Sequence, residues 1–270
     1  KSNDRFAGLC GRQTPLAPTI TRRATNLSGV NTTPRVAHEE YGRMILTVRR
    51  VYRMVFENRV SQAFLRAVPR LDDYAILGKA WYHTTEKKSG RPRFDTLVFD
   101  LPASGHSLSM LRIPWVISDT VPEGPLTRDA RTIKSLLTDQ ARTGLVLVTL
   151  AEEMPANEAR ELSGSLQGEL GISPAHLVIN QVYPERFAPG SSNRKIVDAL
   201  GQAPPADPDV RAAFRHAEMV ANRSDLNSRY TGELAEAIST PRTELPMLFS
   251  PHFGAEQISH LSHVLDKSLG

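Results

Sequence analysis

The chain has 270 residues, with 33 Lys+Arg against 29 Asp+Glu for a net charge of +4, and 40% of its residues are hydrophobic. Such a chain can bury one large or two modest cores, which excludes disorder throughout, and its small, scattered positive excess does not imply nucleic-acid binding. The single Cys10 excludes an internal disulfide and a CxxC zinc knuckle and points to a reducing compartment. With no secretory pattern after Lys1 and no apolar run of about 18 residues, a cytoplasmic location without stable membrane insertion is expected.

Residues 1–35 are polar and rich in Gly, Pro and Thr, with one candidate strand at Asn26 to Asn31. From Val36 the spacing turns helical. Tyr41, Met44, Ile45, Val48, Val51, Tyr52, Val55 and Phe56 recur at i, i+3, i+4 and i+7, and Thr33-Pro34 ahead of them supplies an N-cap and a first-turn proline. Phe64, Leu65 and Val68 continue a short helix to Pro69. Leu71 to His83, with Tyr74, Leu77, Gly78 and Trp81 on one side, predicts a third helix ended by Ser89-Gly90-Arg91-Pro92.

Short apolar strands follow. Phe94 to Phe99 (FDTLVF), Leu145 to Leu150 (LVLVTL) and Leu177 to Val182 (LVINQV) each precede a polar turn and a helical stretch, and Leu245 to Phe249 (LPMLF) is a weaker fourth. Strands of this kind alternating with helices predict an α/β fold with a buried parallel sheet. Residues 184–208 hold five prolines with Gly and Ser and read as a surface loop, followed by two helices at about 208–223 and 225–239.

In parallel sheets, ligands bind beyond the carboxyl ends of the strands. That directs attention to Asp100-Leu101-Pro102-Ala103-Ser104-Gly105-His106 after the first strand. A carboxylate there is what a nucleotide-binding sheet uses to hold Mg²⁺, usually through water, while the following loop senses the γ-phosphate; an Asp closing a strand is also ordinary turn chemistry. The full string FDTLVFDLPASGHSLSMLRIP resembles the switch II segment, DxPxxGHxL, of the ArsA-like anion-transporting ATPases, the family of arsenite-pump ATPases and tail-anchored-protein targeting factors. Further segments resemble the family in the same order: LVTLAEEMPANEARELSGSL, LVINQV, LNSRYTGELAEAI and LPMLFSPHFG. The resemblance covers about residues 36 to 265.

It implies a P-loop NTPase-type fold of the deviant Walker, SIMIBI-like class: a parallel sheet flanked by helices, in a single ATPase domain over 1–270 with a helical insert at 36–86. The implied activity is Mg²⁺-dependent ATP hydrolysis, with nucleotide-driven closure of a homodimer, or of a pair with a paralogous ATPase, acting on a protein client. Asp100 becomes the carboxylate associated with Mg²⁺, and Ser104, Gly105 and His106 the catalytic turn that responds to the γ-phosphate. For His106, a positioning role and a catalytic role both remain open. Asn180 would read adenine, with Gln181 beside it and Phe249, Ser250 and Pro251 walling the ring. A side-chain amide offers adenine both a donor and an acceptor, although an Asn closing a strand is also common. Glu152, Glu153 and Glu158 suit the start of a helix by charge alone.

The sequence also departs from the family. No GKGGxGKT-like string occurs, and neither Gly8-Leu9-Cys10-Gly11 nor Gly124 has the Lys or the strand context of a phosphate cradle. By the family's order that motif belongs upstream of Lys1, which leads to the expectation of a chain lacking its first strand and P-loop and inactive alone. A rival expectation is a non-catalytic pseudo-ATPase subunit that regulates a P-loop-bearing paralogue. Arg211 to Arg223 has no Cys for a zinc clasp, and one Cys10 cannot build a multi-thiolate arsenite site. Met44 and Met54, with Tyr41, Phe56 and Trp81, would line a client groove or simply form a buried helix face.

Overall fold

A computed structural model describes residues 20–32 and 71–269, which fall in two compact units, one ending at Asp139 and the other beginning at Gln140. The helical stretch expected from Val36 to Pro69, with the apolar residues Tyr41 to Phe56, lies outside the described residues.

In the first unit, Thr21–Ala24 (β1) and Leu27–Gly29 (β2) form an antiparallel hairpin where one strand at Asn26 to Asn31 was expected. Helix α1, Leu71–Thr85, matches the predicted third helix. The Ser89-Gly90 break is a hairpin turn between Lys87–Lys88 (β3) and Arg91–Pro92 (β4). Ser89 at φ 53° and Gly90 at φ 79° give the two left-handed residues that suit the twist of a two-residue hairpin. Glu86 anchors this hairpin to α1 by accepting from Arg93 Nη1 at 2.5 Å and lying 3.0 Å from His83 Nδ1. Burial alone would raise its carboxyl, but the hydrogen bonds and charges of Arg93 and His83 outweigh that and hold it below the ordinary carboxylate range.

Phe94 to Phe99 is not a strand. It runs extended with no ladder partner among the described residues, and Val98 is 90% exposed. Apolar composition alone does not make a strand, because each inner strand needs neighbours for its backbone groups. Phe99 and Leu101 instead pack against a helical core of Tyr74, Ala75, Leu77, Met110, Ile113, Ile117, Ala130 and Ile133. Helices α2, Ser104–Thr120, and α3, Pro125–Thr138, supply most of that core. In α2 the stripe Met110, Ile113, Ile117 follows helical spacing, and the buried Pro114 beside it withdraws one backbone donor from the helix interior. Trp81 packs on the same core, so its part in the apolar pattern is ordinary burial.

The second unit is a three-stranded parallel sheet in the order β5-β6-β7, flanked by helices. Strand β5 is Val146–Leu150 and β6 is His176–Val182. The central β6 buries His176, Leu177, Val178 and Ile179 in succession, as a strand covered on both faces must. β5, with one neighbour in the described sheet, alternates: Leu147 and Thr149 are buried, Val146 and Val148 exposed. Helix α4, Glu153–Ser165, packs on β5 and runs into a π-helical turn, Leu166–Leu170. Gly171 at φ 68° ends that turn, where a side chain would be strained.

Residues 184–208 are not loop throughout, since Ser192–Gln202 forms helix α5, capped by Ser191 accepting from Arg194 N at 3.2 Å. The two helices expected at 208–223 and 225–239 are one 30-residue helix, α6, Pro208–Ala237. Asp207 caps it by accepting from Asp209 N and Val210 N. No Gly or Pro interrupts it at the expected break, where Ser224 is buried and Asp225 accepts from Arg194 Nη1 at 2.7 Å. Donating to the carboxylates of Asp225 and Asp198 raises Arg194 above its ordinary value.

Strand β7 is Arg242–Pro246, three residues upstream of the expected Leu245 to Phe249. Thr243 is its inward residue, bonded to His176 Nε2 at 2.7 Å and to Ser268 of helix α7, Ala255–Leu269. Pro246 is the last paired residue of β7, opposite Val182, and the chain continues from Met247 as a loop.

Candidate functional site

The candidate residues lie in both units, and each set is described within its own unit. In the first, Asp100 is exposed at the end of the extended segment. Four residues on, α2 begins with Ala103 as its N-cap at φ −60° and ψ 147°. Alanine has no side-chain acceptor, no acid occupies the first turn, and the cap makes no side-chain hydrogen bond. Ala103 O accepts from His106 N at 3.0 Å and from Ser107 N at 3.4 Å, which closes the turn. A helix start without a capping side chain keeps its partial positive charge and its amide donors for an outside anion. A β-carbon built on Gly105 would meet nothing within 4 Å, so the turn is open at that point.

His106, the third residue of α2, places Nε2 3.1 Å from Asp73 Oδ2 of α1. Asp73 was not anticipated from the sequence, where it reads as one more acid at a helix start.

As to Mg²⁺, among the described residues no three His, Cys, Asp or Glu side chains converge on a metal-holding cluster. Magnesium keeps several waters and takes few protein carboxylates, so one exposed Asp100 fits contact through water and does not form a protein cage.

In the second unit, Asn180 and Gln181 form a bulge at the carboxyl end of β6, where the pairing with β7 slips between Ile179 and Val182. Gln181 takes a left-handed φ of 58°, and its N–H donates to Asn180 Oδ1 at 3.0 Å. That bond fixes the carboxamide's orientation and leaves Nδ2 as its donor. The loop after β7 starts beside this bulge, with Met247 N donating to Val182 O at 2.8 Å. Phe249 then meets Tyr183 edge to face at 5.5 Å. Phe249 and Ser250 line an open hollow of about 410 Å³ with Arg186, Met247, Glu256 and His260. Asn180, Gln181 and Pro251 do not line it. The loop that carries Phe249 is thus beside the end of β6, but Asn180 and Gln181 do not share the hollow that Phe249 and Ser250 line.

Behind this end of β6 stands Asn227 of α6, which is buried. Its Oδ1 accepts from Tyr183 N at 2.8 Å and its Nδ2 donates to Ala151 O at 2.9 Å, so one amide ties the exit of β6 to the exit of β5. Arg223, one turn earlier on α6, bonds Glu152 at 3.0 Å. Glu152 is the N-cap residue of α4 and Glu153 lies in its first turn, in keeping with their reading as helix-start charges. Asn227 had a signal in the sequence, being a polar residue within the stripe Val220, Ser224, Asn227, Tyr230, Leu234 that α6 buries.

Residues 125–197, from α3 through β6 to α5, match the anion-transporting ATPase family model. The chain is similar to ATPase BagA of Mycobacterium tuberculosis, at 26% identity over 195 residues covering 66% of this chain and 55% of that protein. A Mycobacterium bovis protein provisionally named an ATPase gives the same figures. A Halobacterium salinarum protein with the provisional name arsenical pump-driving ATPase is 24% identical over 177 residues, covering 59% of this chain and 26% of that protein. The chain therefore spans about half the length of its mycobacterial relatives. Among the described residues no helix is long and apolar enough to cross a membrane. Its parallel sheet flanked by helices and these matches in sequence make the chain similar to the anion-transporting ATPases, most directly over residues 125–197.

Proposed function

We propose that the intact protein is an ATPase that binds Mg²⁺·ATP and hydrolyses it, and that closure of a dimer around the nucleotide drives action on a partner or client. The observation that carries this reading is the start of α2: Asp100, then an N-terminal turn with no capping side chain and no acid, within the string DLPASGHSL. Such a turn offers amide donors and positive potential to an anionic oxygen. Asp100 would hold Mg²⁺ through water, and the metal, when bound, neutralises charge on the phosphates. The residues of the turn then do the remaining work. Ser104 and Gly105 present the start of the helix to the terminal phosphate, and His106 sits where a shift of that phosphate is felt. At the other candidate region, Asn180 donates from Nδ2 to the adenine edge while its oxygen stays committed to Gln181.

The test is Asp100→Asn in the full-length protein. ATP turnover should fall roughly 100-fold, the scale of losing one charge-stabilising group in an active site. Turnover equal to wild type would remove Asp100 from the reaction. Nucleotide binding without measurable turnover in the wild-type protein would favour the regulatory, non-catalytic role.

A further inference from the structure

Asp73 is a carboxylate withdrawn from water: its side chain is 12% exposed, and Oδ2 has no aligned hydrogen bond among the described residues, although His106 Nε2 stands 3.1 Å away. A buried carboxylate oxygen whose one near partner is misaligned is costly, so a group that persists in that state calls for an explanation. Its helix is not free to move aside. Tyr74 and Leu77 of α1 share one core with Met110, Ile113 and Ile117 of α2, which fixes the spacing of the two helices. His106 differs in being 43% exposed, on the uncapped first turn of α2. Asp73 is therefore the anchored half of the pair, and His106 the half free to turn.

We propose that Asp73 is a positioning residue for the ATP hydrolysis proposed above: its carboxylate orients the His106 imidazole, and through it the first turn of α2, toward the terminal phosphate. A carboxylate facing Nε2 selects the tautomer with the proton on that nitrogen and leaves Nδ1 as an acceptor. The present misalignment suits such a part, because catalytic hydrogen bonds are often poorly aligned before substrate binds and tighten in the complex. The inference rests on the ATPase reading and adds a residue from α1 to it.

The experiment is a double-mutant cycle in the full-length protein, with ATP turnover measured for Asp73→Asn, His106→Asn and the double variant, and Asp73→Glu as the conservative control. Urea unfolding followed by the fluorescence of Trp81 on α1 and Trp115 on α2 reports whether the two helices remain folded. Asp73→Asn should lower kcat about ten-fold with little change in KM, as expected for loss of an orienting partner, and Asp73→Glu should recover most of it. The double variant should be no slower than His106→Asn alone. Losses that multiply in the double variant, or an Asp73→Asn that shifts only the unfolding midpoint, would overturn the proposal. If Asp73→Asn fails to fold, the cycle is run with Asp73→Glu, whose smaller loss in kcat must vanish in the His106→Asn background. A large loss in Asp100→Asn with none in His106→Asn would sink this inference and leave the ATPase reading standing. Unchanged turnover in Asp100→Asn counts against that reading first.

Discussion

Replacing Asn227 with Leu tests how the carboxyl edge of the sheet is held. Leu is close to Asn in shape, so the substitution leaves little cavity, but it removes the acceptor for Tyr183 N–H at 2.8 Å and the donor to Ala151 C=O at 2.9 Å. Each buried polar group left unpaired costs about 1–3 kcal/mol, so the two together should destabilise the second unit by roughly 2–6 kcal/mol. Asn227→Asp separates the halves: it can still accept from Tyr183 N–H, yet turns a carboxylate oxygen toward the Ala151 carbonyl. The assay is urea unfolding by far-ultraviolet circular dichroism, since Trp81 and Trp115 both belong to the first unit and do not report on this one. The midpoint should fall with the slope unchanged. Amide exchange at Tyr183 should accelerate with it. An Asn227→Leu protein with a wild-type midpoint and a still-protected Tyr183 amide would refute the reasoning.

Two further outcomes are expected. Asn180→Ala should weaken ATP binding and narrow the preference for adenine over guanine nucleotides; competition between ATP and GTP measures this, and an unchanged preference would move base recognition away from the bulge. Glu86 is held below the ordinary carboxylate range, so its contribution to stability is present above the unfolded value of about 4.5 and is lost as pH falls through the lower folded value. Glu86→Gln should therefore reduce the loss of first-unit stability with acidification below about pH 4.5, followed by tryptophan fluorescence; a parallel pH profile for the two proteins would remove the pair from account.

The elements legible in the sequence were those with a strong local signal. LVINQV reads as a strand because the short apolar run Leu177, Val178, Ile179 suits a strand covered on both faces, and β6 is that strand. Leu71 to His83 reads as a helix from its spacing, whereas Ser89-Gly90, expected to end it, turns a hairpin that begins after the helix has stopped at Thr85. FDTLVF carries the same apolar signal as LVINQV, but a strand also needs a neighbour, and sequence does not supply one. The expected division of α6 falls in a polar stretch, Asn222 to Asp225. Its charges are instead taken up sideways, by Glu152 on Arg223 and by Arg194 on Asp225. The partners of Asp73 and Asn227 lie 33 and 44 residues away in the chain, so local pattern could at most mark Asn227 as a polar residue in a buried stripe and could not say what either residue bonds.

The unbroken length of α6 has a mechanical consequence. From Pro208 to Asn227 the helix runs about 28 Å at 1.5 Å per residue. Asn227, the twentieth of the 30 residues of α6, fastens it to the exits of β5 and β6, so that attachment acts as a fulcrum for the stretch that precedes it. Tilting a straight rod of that length by about 5° moves its far end by about 2–3 Å. A change of angstrom size at the strand exits is thus carried, without bending, to the start of the helix at Asp207 and Pro208, well away from any nucleotide bound at the sheet edge.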